Sequence, residues 1–164
     1  MKKIVAVWPP APRTKDAGTI AVFYAVVLVV FTAAQLFSFE KFIPLLETFG
    51  LPGEHTGRFV AVLLVVCGVF ALPFLLRMKL SIGMRFVSMV AGWIVPASWL
   101  FLSLWVNITA LSIANAGFLG ASVRLEPGWW MVCVAVGLGI LAAWSAWGLW
   151  PGRRSASLEH THKK

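Results

Sequence analysis

The sequence predicts an all-α membrane protein, an antiparallel four-transmembrane-helix bundle with a short outer surface helix after helix 1, and three observations carry that prediction. Of its 164 residues, 60% are hydrophobic and 12% charged, with a mean hydropathy of +0.86, which is too apolar for a water-soluble domain of this size. Four apolar runs, 17–39, 59–76, 86–106 and 129–150, are free of charged residues. Each holds about 18 to 23 residues, enough to cross a hydrocarbon core of ~30 Å at ~1.5 Å per residue. Backbone groups in lipid must be satisfied within the segment, and no period-2 alternation runs through these stretches, so helices are favoured over barrel strands.

Charge sets the expected orientation. The net charge of +8 would suggest a nucleic-acid partner in a soluble protein, but here its distribution follows topology. Lys2, Lys3, Arg13 and Lys15 precede the first span, Arg77, Lys79 and Arg85 fill the loop after the second, and Arg153, Arg154, Lys163 and Lys164 lie in the tail. Eleven of the fourteen basic residues therefore fall on one side. Lys41, Arg58 and Arg124 are left for the other, together with Glu40, Glu47, Glu54 and Glu126. The positive-inside rule predicts a multi-pass plasma-membrane protein with both termini cytoplasmic and a basic rim against anionic lipid. Nucleic acid is not an expected partner.

Residues 1–16 read as a cytoplasmic lead-in, because "IVAVW" is too short for a signal core and "PPAP" with mixed charge follows it. The first span reads as retained rather than cleaved near "TAAQ". Its Thr32, Gln35 and Ser38, spaced by three, stack on one face towards the outer end, and Glu40 and Lys41 continue the polarity. Such a stripe serves either interhelical hydrogen bonds or a ligand. In the stretch that follows, Pro44 predicts the first turn of a surface helix, with Leu45, Leu46 and Phe49 on its apolar side and Glu47 and Thr48 on its polar side. Gly50 and Pro52 supply the stop. Glu40, Glu47 and Glu54 make this cap an acidic contact surface.

The second span carries Cys67, Gly68 and Ala71 at its middle and Pro73 near its inner end, a pattern for close packing and a kink. A short cationic loop then returns the chain as an antiparallel neighbour. In the third span Ser88 and Gly92 lie one turn apart, and Pro96 frees a backbone carbonyl in mid-membrane. Trp93 and Trp99 flank that proline and are expected on the lipid-facing surface, with a cavity wall as the alternative. Asn107 closes the span, and the "NIT" sequon it opens lies too close to the membrane for glycosylation.

An irregular loop from Asn107 to Pro127 would be unusually long, so a helical extension over 108–115 that covers the bundle mouth is expected. The fourth span has Trp129 and Trp130 at one end and Trp147 and Trp150 at the other, an aromatic belt at each interface. Its Ala135, Gly139 and Ala143 form a small-xxx-small ridge for packing on the other helices or on a second copy. The basic tail, 151–164, reads as solvated, and His160 and His162 in it are too weak a pair to hold a metal.

Several membrane chemistries need residues that this chain lacks. No CxxC is present. Cys67 and Cys133 are isolated and read as small apolar side chains, with a redox pair between the second and fourth spans as the alternative. No histidine lies inside a span to ligate haem, and no acid lies there to serve a cation transporter. Paired catalytic carboxylates, a nucleophile elbow and a phosphate loop are likewise not found, so no catalytic residue and no metal site is expected. The polar residues left as ligand-binding candidates are Gln35, Glu40, Lys41, Ser98 and Asn107.

The order "FEKFIPLLETFGLPG", an apolar helix with a central Gly68, a basic residue at Arg77 and a third helix resembles the DoxX/MauE superfamily of small four-helix bacterial membrane proteins. Lys41, Phe42, Gly50, Leu51 and Pro52 match the family's helix-end segment and turn, and the resemblance covers about Thr32 to Leu104. Phe39 and Glu40 stand where small residues are common, and the acid often found in the second helix is missing. The resemblance implies association with membrane redox systems, as with a subunit linked to quinol oxidation and a factor that matures a periplasmic amine dehydrogenase. On this reading the chain is a non-catalytic accessory or maturation component for a membrane or extracytoplasmic redox protein. The alternative is a small-molecule or quinone-binding protein, or a small transporter, with its site at Gln35, Glu40, Ser98 and Asn107.

Overall fold

The computed structural model describes Pro9 and residues 11–53, 55–109, 113–121 and 123–150. Glu54 and the tail with His160 and His162 lie outside the described residues. Within them the chain forms α1 (Lys15–Phe37), α2 (Phe39–Glu47), α3 (Thr56–Leu75), α4 (Ile82–Thr109) and α5 (Trp129–Leu149). All but α2 are long and apolar enough to cross a membrane, and together they make a multi-pass integral membrane protein. The four spans form a ring in which α1 packs on α3, α3 on α4, α4 on α5 and α5 on α1. The backbone N–H of Arg13 donates to the Gly148 carbonyl (3.0 Å), so both ends of the described chain meet at one end of the ring. We call that end the base, and the end carrying α2 the cap.

Each span has apolar residues on every side, so the buried face is chosen by size and fit rather than by polarity. On α1 the small Ala17, Ala21 and Ala25 face inward with Tyr24 and Leu28, while Phe23, Val26 and Val30 face outward into the membrane. Thr14 starts this helix, its hydroxyl accepting from the Ala17 N–H (3.2 Å). Where α1 crosses α3, Gly68 lies against Thr32 so closely that a Cβ would overlap the hydroxyl. At the base the same relation holds between Gly148 of α5 and Ala17.

The two prolines in the spans are accommodated by neighbours. Pro96 cannot donate to the carbonyl four residues back, which is that of Gly92. Tyr24, the one tyrosine of the chain, reaches across the ring from α1 and donates its hydroxyl to that carbonyl at 2.6 Å. In α3, Pro73 opens the ladder, and the buried Ser88 hydroxyl from α4 enters it, accepting from the Phe74 N–H (3.0 Å) and donating to the Phe70 carbonyl (2.6 Å). Tyr24→Phe is expected to cost about 1 kcal/mol. That loss should shrink in a Pro96→Ala background, where residue 96 supplies the missing donor; equal losses in a double-mutant cycle of thermal unfolding would refute the pairing.

The base turn between α3 and α4 carries the one non-glycine residue with positive φ among the described residues, Arg77 (φ 57°). Its N–H donates to the Phe74 carbonyl (3.1 Å) and that of Met78 to the Pro73 carbonyl (2.9 Å), the bond pair of a Schellman helix end. Glycine is the usual occupant of such a left-handed position, and a side chain there costs roughly 1 kcal/mol.

Several sequence expectations are corrected. α2 begins at Phe39, immediately after α1 ends at Phe37, so Pro44 lies inside it rather than in its first turn. Pro44 is tolerated because it is exposed, where the Glu40 carbonyl it leaves unbonded can be hydrated. Of the expected apolar side, Leu46 and Phe49 are buried and Leu45 is half-buried, with Phe42 buried beside them, while Glu47 and Thr48 are exposed. Trp93 faces outward as expected, but Trp99 is completely buried, because the chain after α4 folds back over it. α4 ends at Thr109, and 113–121 is an irregular buried loop with turns rather than a helical extension.

Candidate functional site

The most unusual feature of the fold is this loop, since irregular backbone at membrane depth is tolerated only where protein satisfies its polar groups. Asn115, Ala116, Gly117, Phe118 and Gly120 are buried. Phe118 lies flat on the Trp99 ring, with centroids 4.1 Å apart and planes 15° apart, and contacts Phe31 edge-on at 5.8 Å. Trp99 is ten residues short of Thr109, so the 113–121 loop forms a plug that brings Phe118 about 15 Å down along α4 at the usual helical rise.

Asn115 organises the plug. Its Oδ1 accepts from the N–H groups of Gly117 (3.1 Å) and Leu125 (3.4 Å), and its Nδ2 donates to the Gly120 carbonyl (3.4 Å). A short ladder bond from the Ala116 N–H to the Leu125 carbonyl (2.7 Å) closes the base of the loop. The polar stripe of α1 then holds it in place. Gln35, 2% exposed, donates its Nε2 to the Phe118 carbonyl at 3.2 Å. Ser38 Oγ donates to the Ala34 carbonyl (2.9 Å) and accepts from the Ala121 N–H (2.9 Å). Gly120, at φ 68°, lies so close to Ser38 and the Ala34 carbonyl that a side chain would collide with both. Two glycines of "NAGFLGA" therefore serve geometry, since Gly117 (φ 77°) also makes the turn that seats Phe118 over Trp99.

The five ligand-binding candidates differ in exposure and in partners. Gln35 is inside, bonded to the plug, and Asn107 donates to the Ser103 (2.7 Å) and Gly128 (3.4 Å) carbonyls, fixing the start of α5. Glu40 and Lys41 are exposed on α2, and Ser98 is half-buried on α4. Of the partner-contact candidates, Glu40 and Glu47 are exposed on the cap, and Glu54 is outside the described residues. Cys67 and Cys133 are both free thiols. The first is buried on α3 and the second exposed on α5, helices at opposite corners of the ring, so the structure does not join them. The Ala135, Gly139 and Ala143 ridge is only partly a seam. Ala135 is buried, Gly139 has open space where a Cβ would stand, and all three line an open apolar groove of about 380 Å³ between α4 and α5. Among the described residues no three His, Cys, Asp or Glu side chains are grouped to hold a metal.

Sequence reasoning placed Thr32, Gln35 and Ser38 on one buried face and did not foresee what that face holds. Asn115 was missed as its organiser. The signal was present in "NAGFLGA", where two glycines and an asparagine bracket one aromatic residue. Two buried side-chain atoms among the described residues lack a hydrogen-bond partner, Trp99 Nε1 and Ser145 Oγ. Gln35, Ser38, Asn107 and Asn115 maintain the architecture, and the charged groups Glu40, Lys41, Glu47, Arg124 and Glu126 lie on the exposed cap. The chain matches no family model, no curated protein and no solved structure.

Proposed function

We propose that this protein is a non-catalytic accessory or maturation component of a membrane-associated redox system in a bacterial plasma membrane, with its base in the cytoplasm and its cap facing the partner. One observation carries the non-catalytic part: Gln35 and Asn107, the two interior amides among the ligand-binding candidates, are bonded to the protein's own backbone, as is Ser38 beside them. Gln35 and Ser38 hold the plug and Asn107 holds the start of α5. The orientation is supported by Arg13, Lys15, Arg77, Lys79 and Arg85 at the base, against a mixed set at the cap. The redox association is supported by the DoxX/MauE-like segment "FEKFIPLLETFGLPG", residues 39–53, which forms α2 and the turn after it. A quinone or other small-molecule site at Gln35, Glu40, Ser98 and Asn107 is the weaker reading, because the amides of Gln35 and Asn107 are bonded to backbone carbonyls.

Purification in mild detergent followed by mass spectrometry tests this reading. A second polypeptide with redox chemistry is expected to co-purify, and Glu40→Lys with Glu47→Lys should reduce its recovery several-fold without lowering the melting temperature of the bundle. Repeated recovery of this chain alone would refute the accessory role.

A further inference from the structure

The membrane-facing side of α5 carries a long apolar groove. Its cap-side part, about 380 Å³, lies between α4 and α5, with Trp93 and Leu100 facing Val136, Gly139 and Ile140. Its base-side part, about 300 Å³, is lined by Trp144 and Trp147. Ala143 lines both, so the two adjoin, and twelve residues of α5 separate Ala135 at one end from Trp147 at the other. At the usual helical rise that is about 18 Å, against a hydrocarbon thickness of about 15 Å for one leaflet. A single acyl chain of the leaflet at the base matches the groove in length.

The base end of this groove holds a cation. The Arg13 guanidinium lies over the ring of Trp147, 5.2 Å from its centroid. Arg13 is exposed, and among the described residues it is in no ion pair. Its backbone N–H ties it to the Gly148 carbonyl (3.0 Å). Any residue other than proline would make that bond, so the bond leaves the guanidinium unexplained. Contact with a ring takes up no oxygen acceptor, and the N–H groups of the guanidinium remain able to fork onto a phosphate. Lys15 offsets Asp16 at the exposed start of α1, so this corner keeps the charge of Arg13. The groove between α3 and α4, by contrast, has only apolar residues in its lining and no cation among them. We propose that the α5 groove and Arg13 form a binding site for one anionic phospholipid of the leaflet at the base. Its acyl chain lies along Ile140, Ala143 and Trp144, and its phosphate sits against the Arg13 guanidinium. The site is separate from the cap and does not depend on the accessory role.

The test is native mass spectrometry of the delipidated protein titrated with phosphatidylglycerol or with phosphatidylcholine of identical chains. One phosphatidylglycerol should be retained about five-fold more strongly than one phosphatidylcholine, the effect of a single cation at the headgroup. Arg13→Gln, which keeps the backbone bond to Gly148, should bring the two lipids level. Lys79→Gln removes an exposed cation from the α3–α4 turn at the same end of the bundle and should leave the preference intact. Gly139→Leu fills the groove at a position where a Cβ meets open space, and should lower retention of both lipids several-fold in a protein that still folds. Equal retention of the two lipids by the unaltered protein, or an unchanged preference in Arg13→Gln, would overturn the proposal. Equal losses in Arg13→Gln and Lys79→Gln would overturn it too, because the charge would then act diffusely, and so would unchanged retention in Gly139→Leu. Displacement of the lipid by glycerol 3-phosphate at the same concentration would make the site one for free phosphate, and a dimer that excludes lipid would make it an interface between copies; either result contradicts a phospholipid site.

Discussion

Asn115→Ala is expected to release the 113–121 plug from the cap while leaving the four spans folded. The substitution removes one acceptor shared by the Gly117 and Leu125 N–H groups and one donor to the Gly120 carbonyl, all within a buried loop. Orphaning a buried backbone group costs about 1–3 kcal/mol, and bonds of 3.4 Å belong at the weak end, so the sum is about 2–4 kcal/mol. The cost falls locally, because the rest of the plug keeps its own ties, through Gln35, Ser38, the Ala116 to Leu125 bond and the stack of Phe118 on Trp99. Limited proteolysis should cut the variant between Thr109 and Trp129 at least about ten-fold faster than the unaltered protein. Unchanged cleavage there would show that Asn115 is not the organiser. Asn115→Asp, which keeps the acceptor and loses the donor, should give an intermediate rate.

Gly68→Leu is expected to damage the bundle itself. Even a Cβ at this position would run into the Thr32 hydroxyl, so a branched side chain must force α1 and α3 apart. Overpacking of this kind typically costs about 1–3 kcal/mol, and the value here should lie at or above the upper end because both helices are fixed at their far ends. The α1 end is tied through Arg13 to α5, and the α3 end through Ser88 to α4. Thermal unfolding in detergent measures the loss. Gly68→Ala combined with Thr32→Ala should recover most of the stability that Gly68→Ala alone loses, since the hydroxyl in the way has been removed. Failure of that rescue would place the strain elsewhere.

The spans were legible because bilayer thickness sets their length, and uncharged apolar runs of that length seldom occur in water-soluble folds. Their boundaries came out within a few residues for α1, α3 and α5. α4 is longer because its ends project past the apolar run into the base turn and the cap, where polar residues such as Arg85 and Asn107 continue the helix. Which face of each span turns inward was less legible, since lipid and core are equally apolar. Only the stripe of Thr32, Gln35 and Ser38 on α1 and the small residues at the middle of α3 gave it away.

The plug was not legible. Its residues are moderately apolar, and such a stretch reads equally well as an interfacial helix or as a loop, whereas the choice between them is made by partners far away in sequence. Gln35 and Phe118 are 83 residues apart, as are Ser38 and Ala121. The same distance in sequence is why Trp99 was expected on the lipid face: its cover is supplied by a segment whose path only the fold reveals. Cys67 and Cys133, equally apolar in context, could not be paired or separated until the ring order placed α3 and α5 at opposite corners.

Gln35, Ser38 and Asn115 hold the plug closed at the cap end of the ring, and accessibility of the plug tests this central claim most directly. In a background with Cys67→Ala and Cys133→Ala, the substitution Ala116→Cys is made at a fully buried position, and its reaction with a membrane-impermeant maleimide is timed against that of Glu47→Cys on exposed α2. Slow labelling is predicted at position 116 and fast labelling at 47. Adding Gln35→Ala and Ser38→Ala should accelerate the first by about ten-fold or more and leave the second unchanged. Equal labelling of the two positions without those additions would show that the mouth of the bundle is open, and would contradict a closed plug.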